Sequence, residues 1–159
     1  MKIFSNKRFF LLIICFLVLA VLLRPPVNGG KITSQYGIRV AFNQNFHTGT
    51  DIALPTGTPV NSTSWGTVKE AGFGELSGNY VIISHLPGIE SRYLHLNSIN
   101  ASKGQRVNPK TVIGAVGNTG LSTGSHLHFE IRVFGIPLPS YLLVLPGRIV
   151  QKVGGYRTF

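Results

Sequence analysis

The sequence predicts an all-β fold: a small antiparallel sheet or sandwich-like domain, preceded by an N-terminal hydrophobic helix. Three observations carry this expectation. After residue 30 the apolar runs are short and are broken by glycine, of which the chain has 19. The stretch HLHFEIRV, residues 126–133, alternates strictly: Leu127, Phe129, Ile131 and Val133 face one way, and His126, His128, Glu130 and Arg132 the other. No segment beyond residue 30 sustains a helical apolar period, and many short strands at near-regular spacing fit an antiparallel sandwich or barrel-like sheet.

The elements follow in chain order. Lys2, Lys7 and Arg8 precede the apolar run FFLLIICFLVLAVLL, residues 9–23, which Arg24, Pro25 and Pro26 stop. A basic start, an apolar stretch and an abrupt stop read as an export segment. At about 1.5 Å per residue the run is short for a hydrocarbon core of about 30 Å. It suits a cleaved signal peptide or a short anchor with membrane contact through residues 9–23. Residues 1–29 are therefore expected to be this segment plus a short linker, with the rest of the chain outside the cytoplasm.

Beyond the linker, GTPVNSTSWGTVKEAG yields strand pieces broken at Gly57, Gly66 and Gly72. NYVIISH, residues 79–85, is a β-branched strand. SRYLHLNSI alternates in part, which predicts Tyr93, His95 and Asn97 on one face and Leu94 and Leu96 on the other. KTVIGAVGNTG ends in a glycine-rich turn; the glycines of Gly117–Gly124 fit either a tight turn or the floor of a groove. PLPSYLLVLPGRIV, residues 137–150, is apolar and bounded by prolines, as an added edge strand or a covering segment would be. QKVGGYRTF reads as a loose tail. Residues 30–136 are thus expected to form one domain, and residues 137–159 a C-terminal extension.

Composition narrows the function classes. Fifteen Lys and Arg against five acids give a formal charge of +10, and such a surface attracts polyanions. The basic residues form no stripe, and no nucleic-acid motif or aromatic platform accompanies them, so no nucleic-acid partner is expected. The single cysteine, Cys15, lies in the apolar run and allows no disulfide within the chain.

The chemistry concentrates in a few side chains. Asp51 is the only aspartate, and it stands four residues after His47 in HTGTDIALPTGTPV. The intervening TGT argues for a turn that folds both side chains toward one point. Imidazole nitrogen and carboxylate oxygen both ligate Zn²⁺ at about 2.0–2.2 Å, and three protein ligands with one open position is the catalytic pattern. His126 and His128 stand at i and i+2 on one strand face, roughly 7 Å apart. One of them can complete a set with His47 and Asp51 while its neighbour handles protons. His85, ahead of LPG, reads as structural or solvent-facing.

HTGTDIALPTGTPV, then RYLHL, then GNTGLSTGSHLHFEIR, with ITSQYGIR (Ile32–Arg39) upstream, resemble the lysostaphin-type (M23) zinc metallopeptidases. The resemblance covers roughly residues 31–133. It implies a small antiparallel β fold with Zn²⁺ held in a groove by His47, Asp51 and His128. It further implies that His95 and His126 are the catalytic histidines, assisting hydrolysis by zinc-activated water. The implied activity is cleavage of peptide bonds in the stem peptides or cross-bridges of bacterial peptidoglycan, in the cell envelope. The alternative is a non-catalytic module that binds cell wall or activates a partner hydrolase.

Overall fold

The computed structural model describes residues 23–39 and 46–144. The expected hydrophobic helix, all of the apolar run except Leu23, and the tail beyond residue 144 lie outside the described residues. Among the described residues no helix is long and apolar enough to cross a membrane.

The fold is built almost wholly from antiparallel strands, as the alternation in the sequence requires. The main sheet is ordered β1 (Lys31–Ser34), β4 (Thr50–Ala53), β12 (His126–Val133), β8 (Ile89–Leu96), β7 (Gly78–Leu86), β6 (Gly66–Gly74) and β10 (Arg106–Val107). β13 (Ile136–Leu138) pairs with the far end of β12. A second sheet is ordered β5 (Pro59–Asn61), β11 (Val112–Ala115) and β9 (Ser98–Ile99), and β2 (Gly37–Ile38) pairs with β3 (Phe46–His47). One five-residue helix, α1 (Ser140–Val144), follows β13. The apolar segment after residue 136 thus begins as an added strand and turns into a short helix.

The core lies against one face of the main sheet. Ile52 of β4, Leu127, Phe129 and Ile131 of β12, and Val81 and Ile83 of β7 are buried there, together with Val60 and Ile113 of the second sheet. Leu23 and Val27 join the same cluster. Arg24 N–H donates to the Thr63 carbonyl oxygen, and Asn61 N–H to that of Pro26, so the stretch after the apolar run is laid onto the domain. Fully burying an aliphatic side chain contributes about 1.5–3 kcal/mol. The dozen or so in this cluster make it the main stabilising element of a chain without disulfides.

Two details break the simple alternation. On β7 and β8 the register passes from Val81 opposite Tyr93 to Asn79 opposite Leu96. One residue of β7, Tyr80, therefore faces two of β8, Leu94 and His95, which is a β-bulge. His95 sits in it with φ of +61°, in the left-handed region. Tyr93 and Leu96 both reach the core and are fully buried, while His95 is turned to the opposite face. The expectation that Tyr93 and His95 share a face is corrected here: the extra residue shifts the pleat by one.

His85 proves structural. Its Nδ1–H donates to the Trp65 carbonyl oxygen at 2.7 Å, and its Nε2 lies 2.8 Å from Ser91 Oγ. Ser91 Oγ lies 2.9 Å from the Tyr93 hydroxyl, which also receives the Thr63 N–H at 2.8 Å. Burial pushes the His85 pKa below its ordinary value, with the bond to Trp65 acting against it. The unfolded chain therefore binds a proton at His85 more readily than the folded one, and stability is lost as pH falls below about 6.5 through the lower folded value. Urea unfolding in chelating buffer between pH 7 and pH 5 is expected to show a smaller loss of stability in His85→Gln than in the wild type. Equal pH slopes in the two proteins would contradict this account.

Candidate metal centre and cleft

The pairing of β4 with β12 builds the site. Its register sets His128 directly across from Asp51, and Phe129 across from Thr50. Directly opposed side chains on one face lie about 5 Å apart at Cβ. His47 enters from the end of β3, three residues before β4 begins, and is buried beside them. Gly49 makes this approach possible. A Cβ there would come within 2.6 Å of the Phe129 carbonyl oxygen and 2.7 Å of His128 Nε2, so any side chain would push the loop off β12.

Three donor atoms converge. His47 Nε2 lies 3.1 Å from Asp51 Oδ1 and 3.1 Å from His128 Nδ1, and His128 Nδ1 lies 2.8 Å from Asp51 Oδ1. Hydrogen bonds do not account for a triangle of this kind when the imidazoles are neutral. His47 Nδ1–H is committed to the Gln35 carbonyl oxygen at 2.8 Å. His128 Nε2 lies 3.1 Å from Glu130 Oε1, an acceptor that keeps the ring's N–H out of the triangle when the proton sits on that side. A neutral imidazole carries one N–H, so the inner nitrogens present lone pairs to a carboxylate oxygen. Three acceptors pressed together call for a cation between them. Tetrahedral ligands about 2.1 Å from Zn²⁺ lie roughly 3.4 Å apart, close to the observed edges. The donor set therefore fits a metal ion: two nitrogens and one oxygen, each imidazole steadied from its far side.

The electrostatics agree. Burial works against ionisation of Asp51, but His128 and His47 outweigh it and hold the carboxyl well below the usual carboxylate range. Arg39 Nη2 donates to Asp51 Oδ2 at 2.6 Å and leaves Oδ1 to the triangle. Burial likewise opposes a charge on His128, yet Asp51 and Glu130 on either side raise its pKa. The position favours positive charge, and a proton or a metal ion satisfies it, so the two compete.

The other two expected histidines border the triangle. His126 Nδ1–H donates to the Gly124 carbonyl oxygen at 2.7 Å, and its Nε2 points inward, 3.8 Å from Asp51 Oδ1. His95 Nδ1–H donates to the Thr119 carbonyl oxygen at 2.8 Å, and its ring centroid lies 4.8 Å from that of His126 and 6.0 Å from that of His128. Burial pushes the His95 pKa below its ordinary value. Its Nε2 is thus a free base at neutral pH. All five residues singled out from the sequence are brought into one place.

Four residues were not singled out. Glu130 and Arg39 were visible in the quoted stretches, Glu130 on the same alternating face as the two histidines. Gln35 and Thr119 act through backbone carbonyls, for which residue type gives no signal. A cleft of about 660 Å³ opens beside Asp51 and His126. Thr33, Ser34, Gln35 and Arg39 line one side and Thr123, Gly124 and Ser125 the other. That volume lies within the roughly 300–1,000 Å³ of ligand clefts. The glycines from Gly117 to Gly124 form a turn packed on the β6–β7 hairpin: Gly120 has φ of +71°, and Leu121 N–H donates to the Leu76 carbonyl oxygen.

Residues 45–139 match Peptidase family M23. The chain belongs to this family. The DD-carboxypeptidase/endopeptidase Mpg of Neisseria meningitidis is 40% identical over 124 residues, which are 76% of this chain and 29% of that protein. The peptidoglycan DD-endopeptidase ShyA of Vibrio cholerae is 44% identical over 100 residues, 63% of this chain and 23% of its own length. The chain thus spans under a third of these relatives. A zinc-containing peptidase of V. cholerae has a similar solved structure, with a TM-score of 0.67 and 35% identity over 73% of this chain and 38% of that one. The M23 match begins just ahead of His47 and ends beyond β12, so it encloses the triangle and both flanking histidines.

The left-handed backbone at His95 is a local strain of about 1–3 kcal/mol unless the residue tolerates it. Asparagine does, and β-branched residues do not. His95→Asn is expected to hold the urea midpoint, and His95→Val to lose about 1–3 kcal/mol of stability. Equal stability of the two variants would show that the bulge is not strained.

Proposed function

We propose that the chain is an exported zinc metalloendopeptidase that hydrolyses peptide bonds in bacterial peptidoglycan. The observation that carries this reading is the convergence of His47 Nε2, Asp51 Oδ1 and His128 Nδ1 within 3.1 Å of one another, in a set of ligand atoms that suits a metal ion. In this reading those three residues hold the zinc, and His95 and His126 are catalytic. Zinc in such a site supplies a Lewis acid for the scissile carbonyl and lowers the pKa of water to about 7.

The chain's own residues do the rest. His126 and His95 each give their N–H to a backbone carbonyl, so each keeps an unprotonated Nε2 for proton transfer. His126 Nε2, nearer Asp51, takes the proton of the attacking water. His95, across from it, receives or returns a proton at the oxyanion or the leaving amine. The cleft beside Asp51 and His126 is the place for the peptide in this reading, with Thr33, Ser34 and Ser125 among the polar residues that line it. The names of Mpg and ShyA favour a bond between two D-residues in cross-linked stem peptides. The same names favour a place in the cell envelope, reached through the export segment at residues 9–23, whether cleaved or kept as an anchor. The expected domain limits, 30–136 with an extension to 159, belong to this reading as well.

The test is digestion of purified peptidoglycan with the full chain and zinc, with products identified by mass spectrometry. Hydrolysed stem-peptide bonds are expected, abolished by a chelator and restored by zinc. His128→Ala is expected to lose metal and activity together. His126→Ala and His95→Asn are expected to keep metal and lose about 10²–10⁴-fold in rate. A zinc-loaded wild type that binds peptidoglycan and cleaves nothing would sink the enzyme in favour of the wall-binding or hydrolase-activating module.

A further inference from the structure

We propose that Glu130 is a positioning residue that joins the two halves of the ligand set, setting the orientation of His128 and the seat of the His47–Asp51 loop with one carboxylate. This inference rests on the reading of His47, Asp51 and His128 as metal ligands.

The ligands come from two separate pieces of chain, the β3–β4 segment with its Thr48–Gly49 turn, which carries His47 and Asp51, and the strand β12, which carries His128. Glu130 lies between them and is only 3% exposed. Its Oε1 accepts from Thr48 Oγ1 at 2.5 Å and from His128 Nε2 at 3.1 Å. Its Oε2 accepts from Arg132 Nε at 2.6 Å. Thr48 is the loop residue next to His47. The absent side chain of Gly49 lets the same loop lie against the His128 ring and the Glu130 stem, whose Cγ a Cβ at residue 49 would meet at 2.9 Å. Both oxygens of the buried carboxylate are thus used, one across the ligand halves and the other on a guanidinium.

The bond to His128 has a chemical consequence. His128 has a carboxylate oxygen on each side, Asp51 Oδ1 at 2.8 Å from Nδ1 and Glu130 Oε1 at 3.1 Å from Nε2. The neutral ring can place its one proton toward either. A proton on Nδ1 would bond well to Asp51 and would block the lone pair that a metal needs. Glu130 offers the competing acceptor and draws the proton to Nε2. Without it, the ring's best partner is Asp51, in the tautomer that excludes metal. The bond from Thr48 ties the loop to the same oxygen, so loop position and ring tautomer are set together.

The test compares the wild type, Glu130→Gln, Thr48→Val and the double variant, all as full chains. Zinc affinity is measured by competition with a chromophoric chelator, and the His128 tautomer by imidazole nitrogen NMR of the metal-free proteins. Glu130→Gln is expected to weaken zinc binding about 10–100-fold, the range found for partners of ligating histidines. It is also expected to move the His128 proton from Nε2 toward Nδ1. Thr48→Val, close in shape to the original, is expected to weaken binding less. The double variant is expected to match Glu130→Gln within about twofold, because Thr48 acts through Glu130. Zinc affinity in Glu130→Gln within twofold of the wild type would overturn the proposal, as would independent, multiplying losses in the double variant. If Glu130→Gln does not fold, Thr48→Val decides: unchanged zinc affinity there overturns the coupling. A wild type that takes up no zinc would overturn the metal reading itself, and this inference with it. A zinc-binding wild type with an indifferent Glu130→Gln overturns this inference alone.

Discussion

The antiparallel register between β4 and β12, with Asp51 across from His128 and Thr50 across from Phe129, is the constraint on which the rest of the molecule depends. In a strand, a slip of one residue exchanges the two faces. Such a slip would bring Leu127 and Phe129 to the carboxylate and carry both histidines of β12 into the apolar layer. The core therefore holds the register: Ile52, Leu127, Phe129 and Ile131 are nearly or wholly buried together, and this packing makes the alternative pairing prohibitive. Stability and chemistry use opposite faces of the same two strands, so what secures one secures the other.

Around that pairing the site is an arrangement of lone pairs. Four imidazoles face it, and each has an acceptor on its far side: Gln35 for His47, Thr119 for His95, Gly124 for His126 and Glu130 for His128. Three of the four acceptors are backbone carbonyls, which accept a hydrogen bond but cannot donate one, and so select which nitrogen of the neutral ring carries the proton. The fourth is a carboxylate. Burial opposes its charge, but His128, Arg132 and Thr48 outweigh burial and hold the Glu130 pKa down at about 2. Two buried anions, Asp51 and Glu130, thus sit inside a chain of net charge +10. They make the centre the place where positive charge is best accommodated, while the basic exterior suits an anionic polymer.

His95 reaches the site at the expense of strand regularity. An unbroken β8 would send its side chain to the core beside Tyr93. The bulge opposite Asn79 and Val81 inserts the residue that sends it to the site instead. The left-handed φ there persists because the neighbourhood holds it from both sides: its N–H donates to the Ser77 carbonyl oxygen and its ring to that of Thr119. The glycine-rich turn before β12 and the β6–β7 hairpin are packed together to supply those two acceptors.

The sequence by itself determined the chemistry and most of the frame. Alternation in residues 126–133 is a local property, and it marked the strand, its buried face and its histidine face. The lone aspartate four residues after His47, the paired histidines and the histidine of RYLHL marked five of the side chains that meet in the site, though not Glu130 or Arg39, and their order marked the family. Tertiary structure alone decided three things. It set the register that puts His128 across from Asp51, a choice that residue spacing left open and only the resemblance had named, because register depends on contacts between residues 77 apart. It put His95 on the site face, because a bulge breaks the period on which the face assignment relied. It fixed which nitrogen of each imidazole is free, because the partners of three rings are backbone carbonyls, and a carbonyl is the same at every residue.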